Sequence, residues 1–230
     1  MVTGIVVEGV VAAGKTTLLN QLQRRLVEAR PSCTKLVLSE HYTERVLEDL
    51  KAAGTLTSTE VVAHSSGVLG LIETLNCMKA TSKFADNATN ASIAVLVERW
   101  LGSHVANLAG MHRWEWSPDW PAFREIVRQC ARLHQLGFRF LVLQVSFPQL
   151  RTRMERTLVH RNDEWRRYIH SQGGLDAAVE RYAAWQDALV RFYDALPVPH
   201  QTVAVQDESD FFSSLAASLT NGLLLTPAGV

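Results

Sequence analysis

Gly9-Val10-Val11-Ala12-Ala13-Gly14-Lys15-Thr16 is the stretch that decides the fold. It has the spacing G-x-x-x-x-G-K-T, and its flanks give that spacing a structural setting. Gly4-Ile5-Val6-Val7-Glu8 before it reads as a buried strand. Thr16 to about Val27 after it reads as a helix, with Leu18, Leu19, Leu22 and Leu26 on one face. Strand, glycine loop and helix in that order grip phosphate, because the first N–H groups of a helix have no intrahelical partner and favour an anion. Gly9 and Gly14 permit backbone angles that a side chain obstructs. Ala12 and Ala13 are small enough for loop amides to converge on phosphate oxygens. In such a loop Lys15 reaches the β- and γ-phosphates and the Thr16 hydroxyl binds Mg²⁺, while Thr17 completes Gly-Lys-Thr-Thr.

The composition suits a single globular α/β domain over the 230 residues, 47% of them hydrophobic and 20% charged. A net charge of zero argues against a surface for a nucleic acid polymer. No apolar run approaches the length of about 18 residues that a membrane span needs. Cys33, Cys77 and Cys130 lie far apart without metal-ligand spacing. Their odd number, with no secretion signal before the first strand, points to a reducing cytoplasm. Residues 225–230 read as a frayed tail.

Outward from the loop, Lys35-Leu36-Val37-Leu38-Ser39 is a second strand ending at Glu40. Ligands of open parallel sheets bind at the carboxyl ends of strands. Glu40 is therefore placed where a general base meets an acceptor hydroxyl. A solvated residue in a loop over 40–43 is the competing reading. Thr43 to Ala53 reads as helical, 54–59 as a polar loop, and Glu60 to about Met78 as a long apolar helix carrying His64 and Asn76. Thr81 to Asn90 is loop-like, with a turn at Asp86-Asn87. Ser92 to Val97 is a strongly apolar third strand that ends in Glu98-Arg99-Trp100. Glu98 suits Mg²⁺, directly or through water. Arg99 suits an acceptor and the charge of a transferring phosphoryl group, with a structural ion pair as the alternative.

Here the chain resembles the thymidylate kinase and deoxynucleoside kinase superfamily. The resemblance rests on Val7-Glu8-Gly9 leading into Gly14-Lys15-Thr16-Thr17, on Leu38-Ser39-Glu40 and on Val97-Glu98-Arg99-Trp100. Glu40 matches the glutamate base of deoxynucleoside kinases, and Glu98-Arg99 the first two residues of their Glu-Arg-Ser. Arg99, Trp100, Ser103 and Ala106 are similar instead to the Asp-Arg-Tyr pattern of thymidylate kinases, with Glu98 in place of aspartate. The resemblance implies a three-layer fold with five parallel strands in the order 2-3-1-4-5. It further implies ATP as phosphoryl donor, Mg²⁺, a small-molecule nucleoside or nucleotide acceptor, and a homodimer.

In the remaining half, Arg113-Trp114-Glu115-Trp116-Ser117-Pro118-Asp119-Trp120 reads as packing around a helix start, with a cap on the acceptor site or a dimer contact as the alternatives. A helix over 122–136 precedes the fourth strand, Phe138 to Val145. The cation-rich stretch at about 149–172 resembles the arginine-bearing lid of these kinases. Arg153 falls at the lid base and Arg156 or Arg161 nearer phosphate, although Arg153 and Arg156 are three apart where the families use four. Gly173-Gly174 is a hinge, and Leu175 to Leu196 a helix with Val179, Tyr182, Leu189 and Phe192 inward. A fifth strand, 201–205, leads through Gln206-Asp207-Glu208-Ser209, where related kinases place a loop beside adenine, to a helix over 211–219.

The expectation is in-line transfer of the ATP γ-phosphoryl group to a nucleoside 5′-hydroxyl. Thymidylate-like phosphorylation of a monophosphate, or of another small molecule, is the runner-up. A nucleotide-binding regulator without turnover is the reading from another class.

Overall fold

The computed structural model describes residues 2–43, 45–47, 49–50, 53–81, 93–105, 120–161 and 163–224. Five parallel strands form one sheet in the order β2-β3-β1-β4-β5. They are β1 (Val2–Glu8), β2 (Thr34–Leu38), β3 (Ile93–Glu98), β4 (Phe138–Gln144) and β5 (His200–Ala204). β1 lies at the centre, paired through Val2↔Ile93 to Val7↔Glu98 on one side and Gly4↔Phe138 to Glu8↔Val142 on the other. Each face of this strand feeds a different core. Val2 and Val6 join Val95, Val97, Phe138 and Phe140 on one side. Ile5 and Val7 join Leu96, Leu141 and Leu143 on the other. A strand buried on both faces must be apolar throughout, which is why β1 and β3 read as unbroken hydrophobic runs.

The helices cover both faces. They are α1 (Lys15–Ala29), the short α2 (Glu40–Thr43), α3 (Ser58–Thr81), α4 (Pro121–Gln135), α5 (Phe147–His160), α6 (Asp163–Ser171), α7 (Leu175–Asp194) and α8 (Phe211–Leu224). α1 buries Leu18, Leu19, Leu22 and Leu26 as its periodicity predicts. At about 1.5–3 kcal/mol for each leucine removed from water, this stripe suffices to lock the helix beneath the sheet. The four inner positions expected in α7, Val179, Tyr182, Leu189 and Phe192, are all buried. Thr57 and Glu60 form a reciprocal cap that starts α3. Gly173 and Gly174, both at φ +93°, separate α6 from α7.

Two local expectations change. Glu40 opens a helical turn instead of a loop, because Tyr42 and Thr43 return their N–H groups to the Ser39 carbonyl. In place of one helix over 43–53, the described residues show α2 to Thr43, a 3₁₀ turn at Arg45–Leu47 and helical residues at 49–50, with the Ala53 N–H donated to the Asp49 carbonyl. Leu47 is buried but Val46 is 60% exposed, so the segment has too little apolar face for a continuous helix. The turn at Asp86-Asn87, Ala106, the aromatic stretch 113–119 and the tail 225–230 lie outside the described residues. Among the described residues the three cysteines form no disulfide, and no helix is long and apolar enough to cross a membrane.

Candidate active site

The loop between β1 and α1 has the backbone its sequence demands. Gly9 takes φ +145° and Gly14 φ +94°, and a Cβ at Gly14 would run into the Phe212 ring. Ala12 is held at φ +60°, a left-handed conformation costing about 1–2 kcal/mol for a residue with a side chain. Gly14 precedes α1 without a side-chain cap, and the first turn carries no acidic residue. The N–H groups there are left to an anion from outside the helix. Lys15, 5% exposed, donates from Nζ to the Val10 carbonyl at 2.9 Å, so its ammonium lies across the loop.

Thr16 Oγ1 donates to Glu98 Oε1 at 2.6 Å. The pair joins the start of α1 to the end of β3 at the rim of the loop. A hydroxyl and a carboxylate are hard oxygen donors of the kind Mg²⁺ takes, with phosphate oxygens and water completing its shell. Among the described residues no cluster of three His, Cys, Asp or Glu side chains could hold a metal alone. Thr16 and Glu98 fit Mg²⁺.

Arg99 sits in a strained left-handed conformation, φ +48°. Its N–H donates to the Val7 carbonyl at 3.0 Å and its Nε to the Gly9 carbonyl at 3.4 Å. One Nη lies 3.7 Å from Glu40 Oε2, and Cζ lies 5.3 Å from the centre of the Trp185 ring. The end of β2 is tied in through Thr43, whose Oγ1 donates to the Glu98 carbonyl at 2.6 Å. Glu40, Glu98 and Arg99 thus share one strand-end platform.

The lid residues take different positions. Arg153 is clasped at the base of α5: Nε and Nη2 donate to Asp207 Oδ1 at 3.1 and 2.7 Å, and Nη2 also to the Gln206 carbonyl at 3.2 Å. Its Nη1 meets the Ala12 carbonyl at 3.5 Å. Asp207 accepts a further bond from Gln149, and the Arg153 bond holds its carboxyl below the usual range. Arg161 lies over the Trp165 ring at 4.7 Å. Arg156 is exposed, with no hydrogen bond or ion pair among the described residues.

These groups line one cleft of about 500 Å³, containing Ala12, Gly14, Lys15, Thr16, Thr17, Glu40, Glu98, Arg153, Arg156, Arg161, Gln206, Asp207 and Phe212. A shallower depression of about 710 Å³ at the lid, walled by Leu158, Val159, Arg166, Ile169, His170 and Leu175, contains none of the residues expected at the site. Of the residues expected at the site, Gly9, Ala13 and Arg99 stand behind the cleft wall and the rest face it.

Sequence reasoning missed several contributors. Glu8 supports the site from the end of β1, and Trp185, Phe212 and Tyr193 reach it from α7 and α8, where no local pattern flags them. Glu8 alone had a visible signal, a carboxylate ending an otherwise apolar buried strand. Its carboxyl is pushed up by burial, only partly offset by hydrogen bonds from Trp100, Gly102 and Ser103 and by nearby Arg99. The Cys130 thiol and Tyr193 hydroxyl are pushed well up by the same burial and by the Glu8 charge.

No protein-family model matches the chain, and no curated protein matches it in sequence. Solved structures do match in fold. The YorR protein of Bacillus subtilis, determined in complex with phosphorylated GDP, superposes with a TM-score of 0.55 at 12% identity, over 97% of this chain and 96% of that one. Thymidylate kinase from Ehrlichia chaffeensis gives 0.53 at 14% identity, over 96% and 98%. Deoxyadenosine kinase from M. mycoides with bound dATP gives 0.50 at 16% identity, over 95% and 100%. This chain has the P-loop fold of the nucleoside and nucleotide kinases, and the strand order 2-3-1-4-5 that the family resemblance implies is the order observed.

Proposed function

We propose that the protein is an ATP-dependent phosphotransferase acting on a nucleoside 5′-hydroxyl. The observation that carries this reading is the convergence of Glu40 and Glu98 on the cleft lined by Lys15 and Thr16, with Arg99 behind its wall 3.7 Å from Glu40. Lys15 and the loop amides bind the β- and γ-phosphates and fix the donor in line. Thr16 and Glu98 hold Mg²⁺, which when bound neutralises phosphate charge. Glu40 orients the acceptor hydroxyl and takes its proton, and Arg99 steadies the Glu40 carboxylate and the incoming phosphoryl oxygens. Arg153 braces the lid base, while Arg156 and Arg161 supply cations to the transferring group and exclude water. The chain acts as one domain, with 149–172 as its lid.

A second reading is transfer to a 5′-monophosphate, as in thymidylate kinases. The observation favouring it is the supply of guanidinium in the cleft, where neither Arg156 nor Arg161 is held in an ion pair among the described residues. A monophosphate is already an oxyanion and needs cations more than a base.

Transfer from γ-labelled ATP with Mg²⁺, offered nucleosides and their 5′-monophosphates side by side, separates the readings. Label on a nucleoside, suppressed by Glu40→Gln, supports the first. Label only on monophosphates supports the second and removes the base role from Glu40. Label on neither, with ATP still bound, points to another small acceptor or a regulator.

A further inference from the structure

We infer that Glu8 is a positioning residue whose buried carboxylate sets the Glu98-Arg99 turn against the phosphate loop. Glu8 is fully buried. Its Oε1 accepts from the backbone N–H groups of Trp100 and Gly102, both at 3.0 Å, and from the Tyr193 hydroxyl at 3.2 Å. Its Oε2 accepts from Ser103 Oγ at 3.0 Å. The intervening Arg99 N–H goes to the Val7 carbonyl. Residues 99–103 are thus bound to the last two residues of β1 by main chain and side chain together, and Gly9 follows immediately.

The approach requires a glycine at 102, since a Cβ there would run into Leu189 and Tyr193. Arg99 cannot hold φ +48° unaided, because such conformations persist only where the surroundings over-determine them. Burying a carboxylate is expensive unless its oxygens are satisfied, and four donors satisfy this one. A purely apolar strand end would cost less and pack as well, but it would leave the Trp100 and Gly102 N–H groups without acceptors. What the carboxylate supplies is a fixed distance. Lys15 and Thr16 lie on one side of it in sequence, Glu98 and Arg99 on the other in space, and a displacement of about 1 Å between such groups costs on the order of 100-fold in rate.

Reach and acceptor oxygens matter in this account, and charge does not. Glu8→Asp keeps the charge but falls one methylene short. Glu8→Gln keeps the length and an acceptor for both N–H groups, and its amide can donate to Ser103 Oγ. The test compares both variants with wild type in kcat, in the Kd for MgATP, and in backbone amide hydrogen exchange. Glu8→Asp is expected to lose about 10- to 100-fold in kcat and to lose protection at Trp100 and Gly102, with MgATP affinity within threefold of wild type. Glu8→Gln is expected to restore kcat to within about fivefold and to restore that protection. Should Glu8→Asp not fold, Ser103→Ala carries the test, with local loss of protection and a three- to tenfold fall in kcat at about one hydrogen bond's worth of positioning.

The turnover arm rests on the kinase reading; the exchange arm does not. Wild type that transfers phosphoryl to no acceptor would defeat the kinase reading and leave protection at Trp100 and Gly102 to decide the anchor. Unchanged protection there in Glu8→Asp overturns the proposal. So does a loss of kcat matched by an equal loss of MgATP affinity and of protection throughout the sheet.

Discussion

Thr16 Oγ1 and Glu98 Oε1 lie 2.6 Å apart although 82 positions separate them in the chain. The central pairing of β1 with β3 makes this contact, since it brings the end of β3 level with the loop that ends β1. Both residues therefore face the same cleft. Glu98→Gln keeps an oxygen there but removes the charge. The Mg²⁺ concentration for half-maximal phosphoryl transfer is expected to rise on the order of tenfold. Affinity for ATP without Mg²⁺ should not fall, because the substitution removes a like charge beside the triphosphate. A Mg²⁺ titration of transfer, with metal-free ATP binding alongside, checks both; an unchanged Mg²⁺ requirement would remove Glu98 from the metal site.

What was legible in the sequence was local. Gly9 to Thr16 encodes its own backbone, and apolar runs ending in Glu40 or Glu98-Arg99 declare strand ends, where open sheets bind ligands. The partners that hold those residues were not legible. Trp185 faces Arg99 from α7, Phe212 covers Gly14 from α8, and Tyr193 meets Glu8 across 185 positions. No spacing rule joins such residues before the sheet order is known. The 43–53 segment misled for the opposite reason: its local pattern is helical, but Val46 has no core to face.

Arg99 is held from one side by the Trp185 ring, 5.3 Å from its Cζ. A cation over an aromatic face is stabilised by about 0.5–2 kcal/mol depending on desolvation. Trp185→Leu keeps apolar bulk and removes the ring. It is expected to lower kcat about fivefold, near 1 kcal/mol, with little change in MgATP affinity. Combining it with Arg99→Lys should cost less than the sum of the single effects, since both act on one contact. Fully additive losses would show that Trp185 acts elsewhere.

His64 bridges α3 to two other elements. Its Nε2 lies 2.9 Å from the Tyr42 carbonyl, which can only accept, so Nε2 carries the proton. Nδ1 then accepts from His104 Nε2 at 3.1 Å. Protonating Nδ1 would set two N–H groups against each other. Burial, partly opposed by the Tyr42 bond, accordingly lowers the His64 pKa from 6.5. The unfolded chain therefore binds the proton first as pH falls, and stability rises with pH in that interval. The contribution is complete above about 6.5, erodes below it, and is gone once pH has passed the lower folded value. Urea midpoints of wild type and His64→Gln, measured from pH 8 to 5, should diverge only below about 6.5, with wild type the steeper. Parallel curves would exclude His64 as the source.

Arg153 and Arg156 are three residues apart on α5 and meet opposite surroundings. Arg153 spends its guanidinium on Asp207, on the Gln206 carbonyl and on the loop carbonyl of Ala12. Arg156 faces the same cleft, exposed and uncommitted among the described residues. Substitution should therefore separate them. Arg153→Ala frees Asp207 beside the donor site and loosens the loop, so it is expected to weaken MgATP binding about tenfold and to lower Tm by a few degrees. Arg156→Ala removes a cation with no hydrogen bond or ion pair among the described residues, so Tm and MgATP affinity should hold while kcat falls on the order of 100-fold. Tm, MgATP Kd and kcat measured on both variants decide the matter. Loss of kcat confined to Arg153→Ala would mean that the clasped arginine is released to the phosphates during turnover and that Arg156 is a surface residue.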